Sequence, residues 1–261
     1  MVKRVITAVV AGSAALVCIL LSSPIPIAAL LLIALILGLF ELTFITNRNI
    51  FAVCFAALIG LGIAWWQPIY GVIAIFLIGV ISLLHNKLTS LTPLWLVAGF
   101  AAAFLLHKHQ IGDEATFAAN ALLLAWLPLW VGDSLAYFVG KKWGSRKLAP
   151  KLSPKKTVEG GVANFIGCIA AATALAAYMG VQLPLGVYIG ISCGILGQVG
   201  DLLQSKLKRG ADIKDSGSLL PGHGGILDRL DSLLLSAPAS LMLVYVIPHS
   251  VFHEKHTPFP W

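Results

Sequence analysis

Three aspartates in the last third of this 261-residue chain are spaced so that their carboxylates can act together. Asp228 and Asp231 are three residues apart, so on a helix both carboxylates face the same way. Asp201 ends an earlier apolar segment, and it shares a helical face with Ser205, four residues later. Carboxylates that converge from two helix ends suit a hard cation such as Mg²⁺, which binds oxygen ligands together with substrate phosphates. The spacing therefore favours a divalent-metal site.

A glycine-rich turn, Pro-Gly-His-Gly-Gly, precedes Asp228 and Asp231. Gly224 and Gly225 allow the backbone to approach a ligand closely, and the helix that follows offers unpaired N–H groups to a phosphate. Arg229 either clamps a phosphate through two hydrogen bonds or balances the charge of Asp228. His223 fits the roles of acid, phosphate donor and turn residue equally well. Both Arg229 and His223 are candidate catalytic residues.

A basic loop at 140–160 carries seven Lys and Arg residues. One interpretation is an anchor that faces anionic lipids. The alternative is a triphosphate cradle, which the run Ser-Pro-Lys-Lys-Thr favours because it adds hydroxyl donors and a rigid turn. The candidate substrate-binding residues in this loop and around the glycine-rich turn are Lys151, Ser153, Lys155, Lys156, Thr157, Ser205, Lys208, Arg209, Lys214, Asp215, Gly224 and Gly225.

The elements that position these residues belong in a lipid bilayer. The chain is 58% apolar and 11% charged, and its mean hydropathy is +0.90, far from the averages of soluble domains. A helical span needs about 20 apolar residues, and most of the chain consists of such stretches. The net charge of +7 is typical of a positive-inside membrane protein, so we expect no nucleic-acid partner. The predicted fold class is all-α, a polytopic integral membrane protein.

Apolar runs predict about nine transmembrane helices, with the N-terminus in the cytoplasm. Of the 18 Lys and Arg residues, all but Lys108 and Lys255 then lie on or beside the cytoplasmic surface. The predicted spans are residues 5–22, 25–44, 50–65, 68–84, 93–107, 115–139, 161–180, 184–204 and 226–248. The basic loop and the glycine-rich turn consequently share the cytoplasmic face.

Acidic residues are distributed unevenly along the chain. Glu41 is the single acid in residues 1–112, whereas nine of the eleven acids lie between Asp113 and Asp231. We therefore expect an N-terminal transmembrane scaffold of about five helices at 1–112 and a catalytic half of about four helices at 113–261. The scaffold would also supply a lipid path or a dimer surface, which leaves a homodimer open.

One acid, Asp133, lies at the cytoplasmic end of a predicted span, just before the basic loop. An ionisable group at this depth is energetically costly and is a functional candidate for that reason. The alternative is a structural pair with a lysine of the loop. We include Asp133 among the candidate substrate-binding residues.

Two long motifs, in order along the chain, carry a family resemblance. The first includes Lys-Leu-Ala-Pro-x-x-Ser-Pro-Lys-Lys-Thr-x-Glu-Gly at 147–160. The second includes Lys-Asp-x-Gly at 214–217 and Leu-Pro-x-His-Gly-Gly-Ile-x-Asp-Arg-Leu-Asp at 220–231. Both resemble the phosphatidate cytidylyltransferase family, also called CDP-diacylglycerol synthase. Gln204 and Val158 depart from the family pattern, in which an acid and an aromatic residue are common at those places.

The resemblance implies a Mg²⁺-dependent reaction of CTP with phosphatidate that yields CDP-diacylglycerol and pyrophosphate. It also implies phospholipid biosynthesis at a bacterial inner membrane, with the active site facing the cytoplasm. By the same resemblance Asp201 and Asp228 are metal ligands, Asp231 is a third, and a second cation is left open. The groups implied to hold the triphosphate or the lipid phosphate are Lys151, Lys155, Lys156, Lys208, Arg209 and Arg229.

Three other functions fit parts of the sequence. Another CTP-dependent enzyme of membrane lipids, a polyprenol kinase or an archaeal lipid cytidylyltransferase, would use the same basic loops. A transporter would place its acids at mid-depth between broken helices, whereas these acids cluster at one face. A non-catalytic anionic-lipid scaffold would use the basic loops but has no need of three aspartates together.

Overall fold

The computed structural model describes residues 2–21, 23–47, 49–66, 68–84, 92–111, 120–217 and 224–247. In these ranges the chain forms nine α-helices and one two-stranded hairpin. The helices are α1 (Val2–Leu20), α2 (Pro24–Thr46), α3 (Ile50–Trp66), α4 (Pro68–Leu84), α5 (Pro93–Lys108), α6 (Ala121–Trp143), α7 (Val158–Tyr178), α8 (Leu183–Gly210) and α9 (Leu227–Val246). The strands are β1 (Lys147–Ala149) and β2 (Ser153–Thr157). His223, most of the predicted loop at 85–92 and the start of the predicted span at 115–139 lie outside the described residues.

Five of these helices are long and apolar enough to cross a membrane: α2, α6, α7, α8 and α9. Shorter apolar helical stretches occupy Cys54–Ile63, Pro68–Ile81 and Pro93–Lys108. Large apolar side chains on α2 to α4, among them Phe44, Phe55 and Tyr70, are exposed, as expected for surfaces that face lipid. The protein is therefore a helical membrane protein, as the composition predicts.

Helix α8 extends further than the apolar pattern predicts. The predicted span stops at residue 204, but α8 continues to Gly210. The extra residues are mostly strong helix formers, and the cations Lys208 and Arg209 in the last turn favour the negative end of the helix dipole. Ser205, Lys208 and Arg209 consequently lie on a helix and not in a loop.

Glycines allow α6, α7 and α8 to pack with their backbones close together. A Cβ atom on Gly132 of α6 would lie 2.5 Å from the sulfur of Cys168 on α7. On α8, a Cβ atom on Gly190 would lie 2.6 Å from the Cα atom of Ile169. Small residues at such interfaces are typical of helices that associate in lipid. This packing holds the helices that carry Asp133 and Asp201 side by side.

The basic loop contains a β-hairpin that the apolar pattern does not predict. Strands β1 and β2 are antiparallel, with Lys147 opposite Thr157 and Ala149 opposite Ser153. Glu159, in the first turn of α7, accepts hydrogen bonds from the backbone N–H of Ser145 (3.2 Å) and from its hydroxyl (3.0 Å). Its carboxylate also binds the backbone N–H of Arg146 and the Nε of that residue. Glu159 thus fastens the start of the hairpin to α7.

We expect Glu159→Ala to loosen the hairpin, because at least three hydrogen bonds to residues 145 and 146 are lost. Trypsin should cleave the detergent-solubilised variant within residues 141–156 roughly five times faster than the parent chain, since cleavage follows the opened population. Val162→Ala, an exposed position one turn along α7, is the matched control. Equal cleavage rates in the two variants would contradict this role of Glu159.

Candidate active site

A cavity of about 930 Å³ opens between five helices and the hairpin. One side, here called the apolar lobe, is lined by α1, α2 and α6. Its residues are Gly12, Ala15, Leu16, Leu30, Leu31, Ala34, Trp126, Leu129 and Trp130. The other side, here called the polar wall, carries charged and hydroxyl groups from α6, β2, α8, α9 and the segment after α8. One cavity is therefore lined both by apolar side chains and by charged ones.

Asp201 and Lys156 form an ion pair at the centre of the polar wall. The Nζ of Lys156 on β2 donates to Oδ2 of Asp201 on α8. The hydroxyl of Ser205, one turn further along α8, donates to the other carboxylate oxygen at 3.4 Å. Asp201 and Ser205 therefore share a helical face, as their spacing predicts. The hairpin delivers Lys156 to a carboxylate 45 residues away in sequence.

Asp228 joins α8 and α9. Its Oδ1 accepts from Nζ of Lys208, and the side chains of this pair are 7% and 10% exposed. Its Oδ2 accepts from the backbone N–H groups of Ser216 (2.8 Å) and Gly225 (3.0 Å). Both oxygens of Asp228 are thus engaged with the end of α8 and with the segment that connects α8 to α9.

Asp231 and Asp133 complete a group of carboxylates around Lys156. Asp231 accepts from the backbone N–H of Ser232 at 2.8 Å, and Asp133 accepts from Nδ2 of Asn164 at 3.0 Å. Both acids line the cavity, and each lies near enough to Lys156 and Asp201 to interact with their charges. Lys156 therefore has three carboxylates close to it, those of Asp133, Asp201 and Asp231.

Most residues that the sequence predicts for the site line this one cavity. They are Asp133, Ser153, Lys156, Asp201, Ser205, Lys208, Arg209, Lys214, Asp215, Asp228, Arg229 and Asp231. Lys151 and Lys155 are exposed on the hairpin and do not line it. The Thr157 hydroxyl caps α7 by accepting from the N–H of Gly160 at 3.2 Å. Gln204, where the family pattern has an acid, is buried away from the cavity.

Gly224 and Gly225 form a turn that brings the backbone close to carboxylates. Gly224 has φ +81°, and a Cβ atom there would lie 2.4 Å from Oδ2 of Asp228. A Cβ atom on Gly225 would lie 2.2 Å from the Ser216 hydroxyl. At Gly224 both the positive φ and the close carboxylate exclude a larger residue. At Gly225 the lack of space excludes one. The glycines let Asp228 reach the backbone.

Glu41, which the sequence pattern does not assign to the site, contacts the segments on either side of the glycine-rich turn. This carboxylate of α2 accepts from the Ser216 hydroxyl (2.7 Å) and from the N–H groups of Ile226 (2.7 Å) and Leu227 (3.0 Å). A usable signal was present, because a lone acid inside an apolar span is costly and must have partners. The partners lie at least 175 residues away, so the sequence did not identify them.

The polar wall offers oxygen atoms, the donors that Mg²⁺ prefers. Within the described ranges, no three or more Asp, Glu, His or Cys side chains are arranged closely enough to hold a metal ion. Two of the aspartates are instead neutralised by lysines: Lys156 pairs with Asp201, and Lys208 pairs with Asp228. The donor chemistry fits a hard cation that competes with these ammonium groups.

Comparison with known proteins gives matches over most of the chain. A family model described as "Cytidylyltransferase family" matches residues 2–247. A phosphatidate cytidylyltransferase of Thermotoga maritima is 33% identical over 203 residues, which are 71% of this chain and 73% of that protein. The enzyme of the same name from Bacillus subtilis is 45% identical over 135 residues, 49% of each chain. That from Staphylococcus aureus is 39% identical over 119 residues. The match spans about half the length of these last two relatives, 49% and 46%.

Proposed function

The chain belongs to the cytidylyltransferase family, and from that premise we propose that it transfers CMP from CTP to phosphatidate. The products would be CDP-diacylglycerol and pyrophosphate, as in phospholipid biosynthesis. The observation that carries the proposal is the cavity, in which the apolar lobe adjoins the polar wall. A lipid phosphate and a nucleoside triphosphate need this combination of surfaces at one place.

The reaction requires positioning and charge neutralisation more than proton transfer. The second pKa of a phosphate monoester is about 6, so phosphatidate already presents an anionic oxygen at neutral pH. That oxygen attacks the α-phosphorus of CTP, a new P–O bond forms, and the bond to the β-phosphate oxygen breaks to release pyrophosphate. Negative charge grows on the leaving group, and cations fixed beside it lower the barrier. The cations on the polar wall are Lys156, Lys208, Arg209, Lys214 and Arg229.

We further propose that Mg²⁺ assists, held by Asp201 and Asp231, with Asp228 as a third ligand once its ion pair with Lys208 opens. The ion would neutralise phosphate charge and orient the triphosphate. Asp201 and Asp231 both line the cavity, and their carboxylates are close enough to interact electrostatically. Asp228 has both oxygens engaged by Lys208, Ser216 and Gly225, so metal binding there would compete with the Lys208 ion pair.

The proposal places the protein in a bacterial inner membrane with the polar wall facing the cytoplasm. All nine helices of the described ranges would then cross the membrane, with the N-terminus inside. The distribution of Lys and Arg supports this orientation, since only Lys108 and Lys255 would lie on the far side. A substrate with acyl chains could then reach the apolar lobe without leaving the bilayer.

The test of the proposed reaction is a transfer assay with detergent-purified protein, labelled CTP, phosphatidate and Mg²⁺. We expect label to enter the lipid phase with the metal present and to fall to background with EDTA. Excess Mg²⁺ should restore transfer, which rules out irreversible damage by the chelator. Folded protein that transfers no label to phosphatidate would refute the proposal.

The second candidate is a CTP-dependent enzyme that acts on another lipid. The apolar lobe also suits the apolar chain of such a lipid. The same assay with a polyprenol, a polyprenyl phosphate and an archaeal-type ether lipid phosphate separates the candidates. We expect phosphatidate to be the preferred acceptor. A polyprenol that takes up label from the γ-phosphate of CTP but not from the α-phosphate would instead indicate a kinase.

A further inference from the structure

Glu41 is the one acid in residues 1–112, and it lies inside the apolar helix α2. Its side chain is buried, at 8% exposure. A buried carboxylate is stable only where hydrogen bonds replace the lost water. Glu41 obtains them from the far end of the chain, from Ser216 and from the backbone of residues 226 and 227.

These contacts hold the N-terminus of α9. The first N–H groups of a helix have no partner inside the helix, and the N-cap residue Ile226 provides no side-chain acceptor. Glu41 accepts from the N–H groups of Ile226 and Leu227, so it caps α9 from another helix. Its negative charge also lies at the positive end of the α9 dipole. The helix that is capped carries Asp228 and Asp231.

Ser216 connects Glu41 to Asp228. The hydroxyl of Ser216 donates to Glu41 at 2.7 Å, and its backbone N–H donates to Asp228 at 2.8 Å. Gly225 permits this arrangement, because a Cβ atom there would lie 2.3 Å from Oε2 of Glu41. We call Glu41, Ser216, Gly225 and the N–H groups of Ile226 and Leu227 the Glu41 clasp.

The clasp lies on the same face of α2 as part of the apolar lobe. Leu31, Ala34, Gly38 and Glu41 follow one another at spacings of three, four and three residues, so they form one stripe along the helix. Leu31 and Ala34 line the apolar lobe. Gly38 packs on α9, where a Cβ atom would lie 2.9 Å from Cδ2 of Leu227. Helix α2 therefore contacts both the apolar lobe and the start of α9.

We infer that Glu41 is a positioning residue that fixes the carboxylates of α9 relative to the apolar lobe. This inference rests on the proposed function, because the lobe is taken as the seat of the lipid and the polar wall as the seat of CTP. The clasp aligns the lipid phosphate with the α-phosphorus of CTP without contacting either. Each substrate keeps its own binding surface when the clasp is broken, while their mutual alignment is lost.

The experiment compares Glu41→Gln and Glu41→Leu with the parent chain. Gln keeps one acceptor oxygen, whereas Leu is of similar size and keeps none. A displacement of about 1 Å can cost about 100-fold in rate, so we expect kcat per folded molecule to fall roughly 100-fold in Glu41→Leu. Glu41→Gln should retain at least about ten times more activity than Glu41→Leu. The KM values for CTP and phosphatidate should stay within about threefold of the parent values, because each substrate keeps the contacts it makes before the reaction.

Thr46→Val is the matched control, since the Thr46 hydroxyl donates within α2, to the carbonyl of Leu42. It should retain the parent kcat. Size-exclusion chromatography gives the folded fraction used to normalise each rate. A fall in kcat that disappears after this normalisation, or KM values that rise in proportion to the loss, would overturn the inference.

Hydrogen exchange of residues 224–232 tests the clasp independently of catalysis. Loss of the acceptor should expose the N–H groups of Ile226 and Leu227, so exchange should accelerate about tenfold in Glu41→Leu and not in Thr46→Val. Unchanged exchange would overturn the inference even if the activity fell. A parent chain that transfers no CMP would refute the proposed function alone, because the exchange result would still decide whether Glu41 holds α9.

Discussion

Asp228→Asn should lower CMP transfer at least about 100-fold while the protein stays inserted in the membrane and elutes as a single species. Asn retains an oxygen for the N–H groups of Ser216 and Gly225, but its amide N–H₂ would face the ammonium group of Lys208. Leaving one partner of a buried ion pair alone costs about 3 to 5 kcal/mol. We therefore also expect the thermal midpoint to fall by roughly 10 °C. Labelled-CTP transfer and a thermal unfolding curve measure the two effects.

A double variant separates the structural role of Asp228 from its catalytic role. Adding Lys208→Gln to Asp228→Asn removes the stranded ammonium, and two neutral amides can bond to each other. The thermal midpoint should then return to within about 3 °C of the parent value, while transfer stays at background. Recovery of transfer in the double variant would mean that Asp228 acts only by neutralising Lys208.

Lys156→Gln should lower kcat/KM for CTP about 100-fold, whereas Lys155→Gln should lower it less than about threefold. The two lysines are adjacent on β2, and successive strand residues point to opposite faces. Lys156 lines the cavity and pairs with Asp201, whereas Lys155 is exposed outside it. Steady-state rates at varied CTP concentration measure the difference between the two variants.

The neighbouring lysine serves as the control because both substitutions remove one positive charge from the same hairpin. A general attraction of CTP to a basic loop would make the two variants equal, and it would weaken with added salt. Equal losses would therefore count against a specific contact of Lys156 with the site. Activity in Lys156→Arg above that of Lys156→Gln would show that the charge matters at this position.

Local residue patterns were enough to predict a membrane protein and most of the helix bounds. Hydropathy and helix propensity depend on residues near one another along the chain, so the predicted spans 25–44 and 68–84 lie within two residues of α2 and α4. The family resemblance on the motifs at 147–160 and 214–231 agrees with the cytidylyltransferase match. The motifs at 147–160 and 214–231 also contain most residues of the polar wall.

The sequence pattern did not show which residues of a motif face the cavity. Lys151, Lys155 and Lys156 are equivalent as charges in a basic loop, but of the three the folded hairpin places Lys156 in the cavity, beside Asp201. Thr157 likewise has a hydroxyl suited to phosphate, but its position at the start of α7 commits that oxygen to the N–H of Gly160. These outcomes depend on strand pairing and helix ends, which apolar periodicity does not specify.

Tertiary structure alone decided which distant elements meet at the site. The apolar lobe draws on α1 and α2, which the sequence indicated only as a scaffold or lipid path, and Glu41 reaches partners 175 to 186 residues away. Such contacts depend on how the helices pack, which Gly38, Gly132 and Gly190 permit by close approach. Hydrophobicity is enough for a helix to enter a bilayer. Which helices pack together depends on steric fit and on hydrogen bonds to buried polar groups.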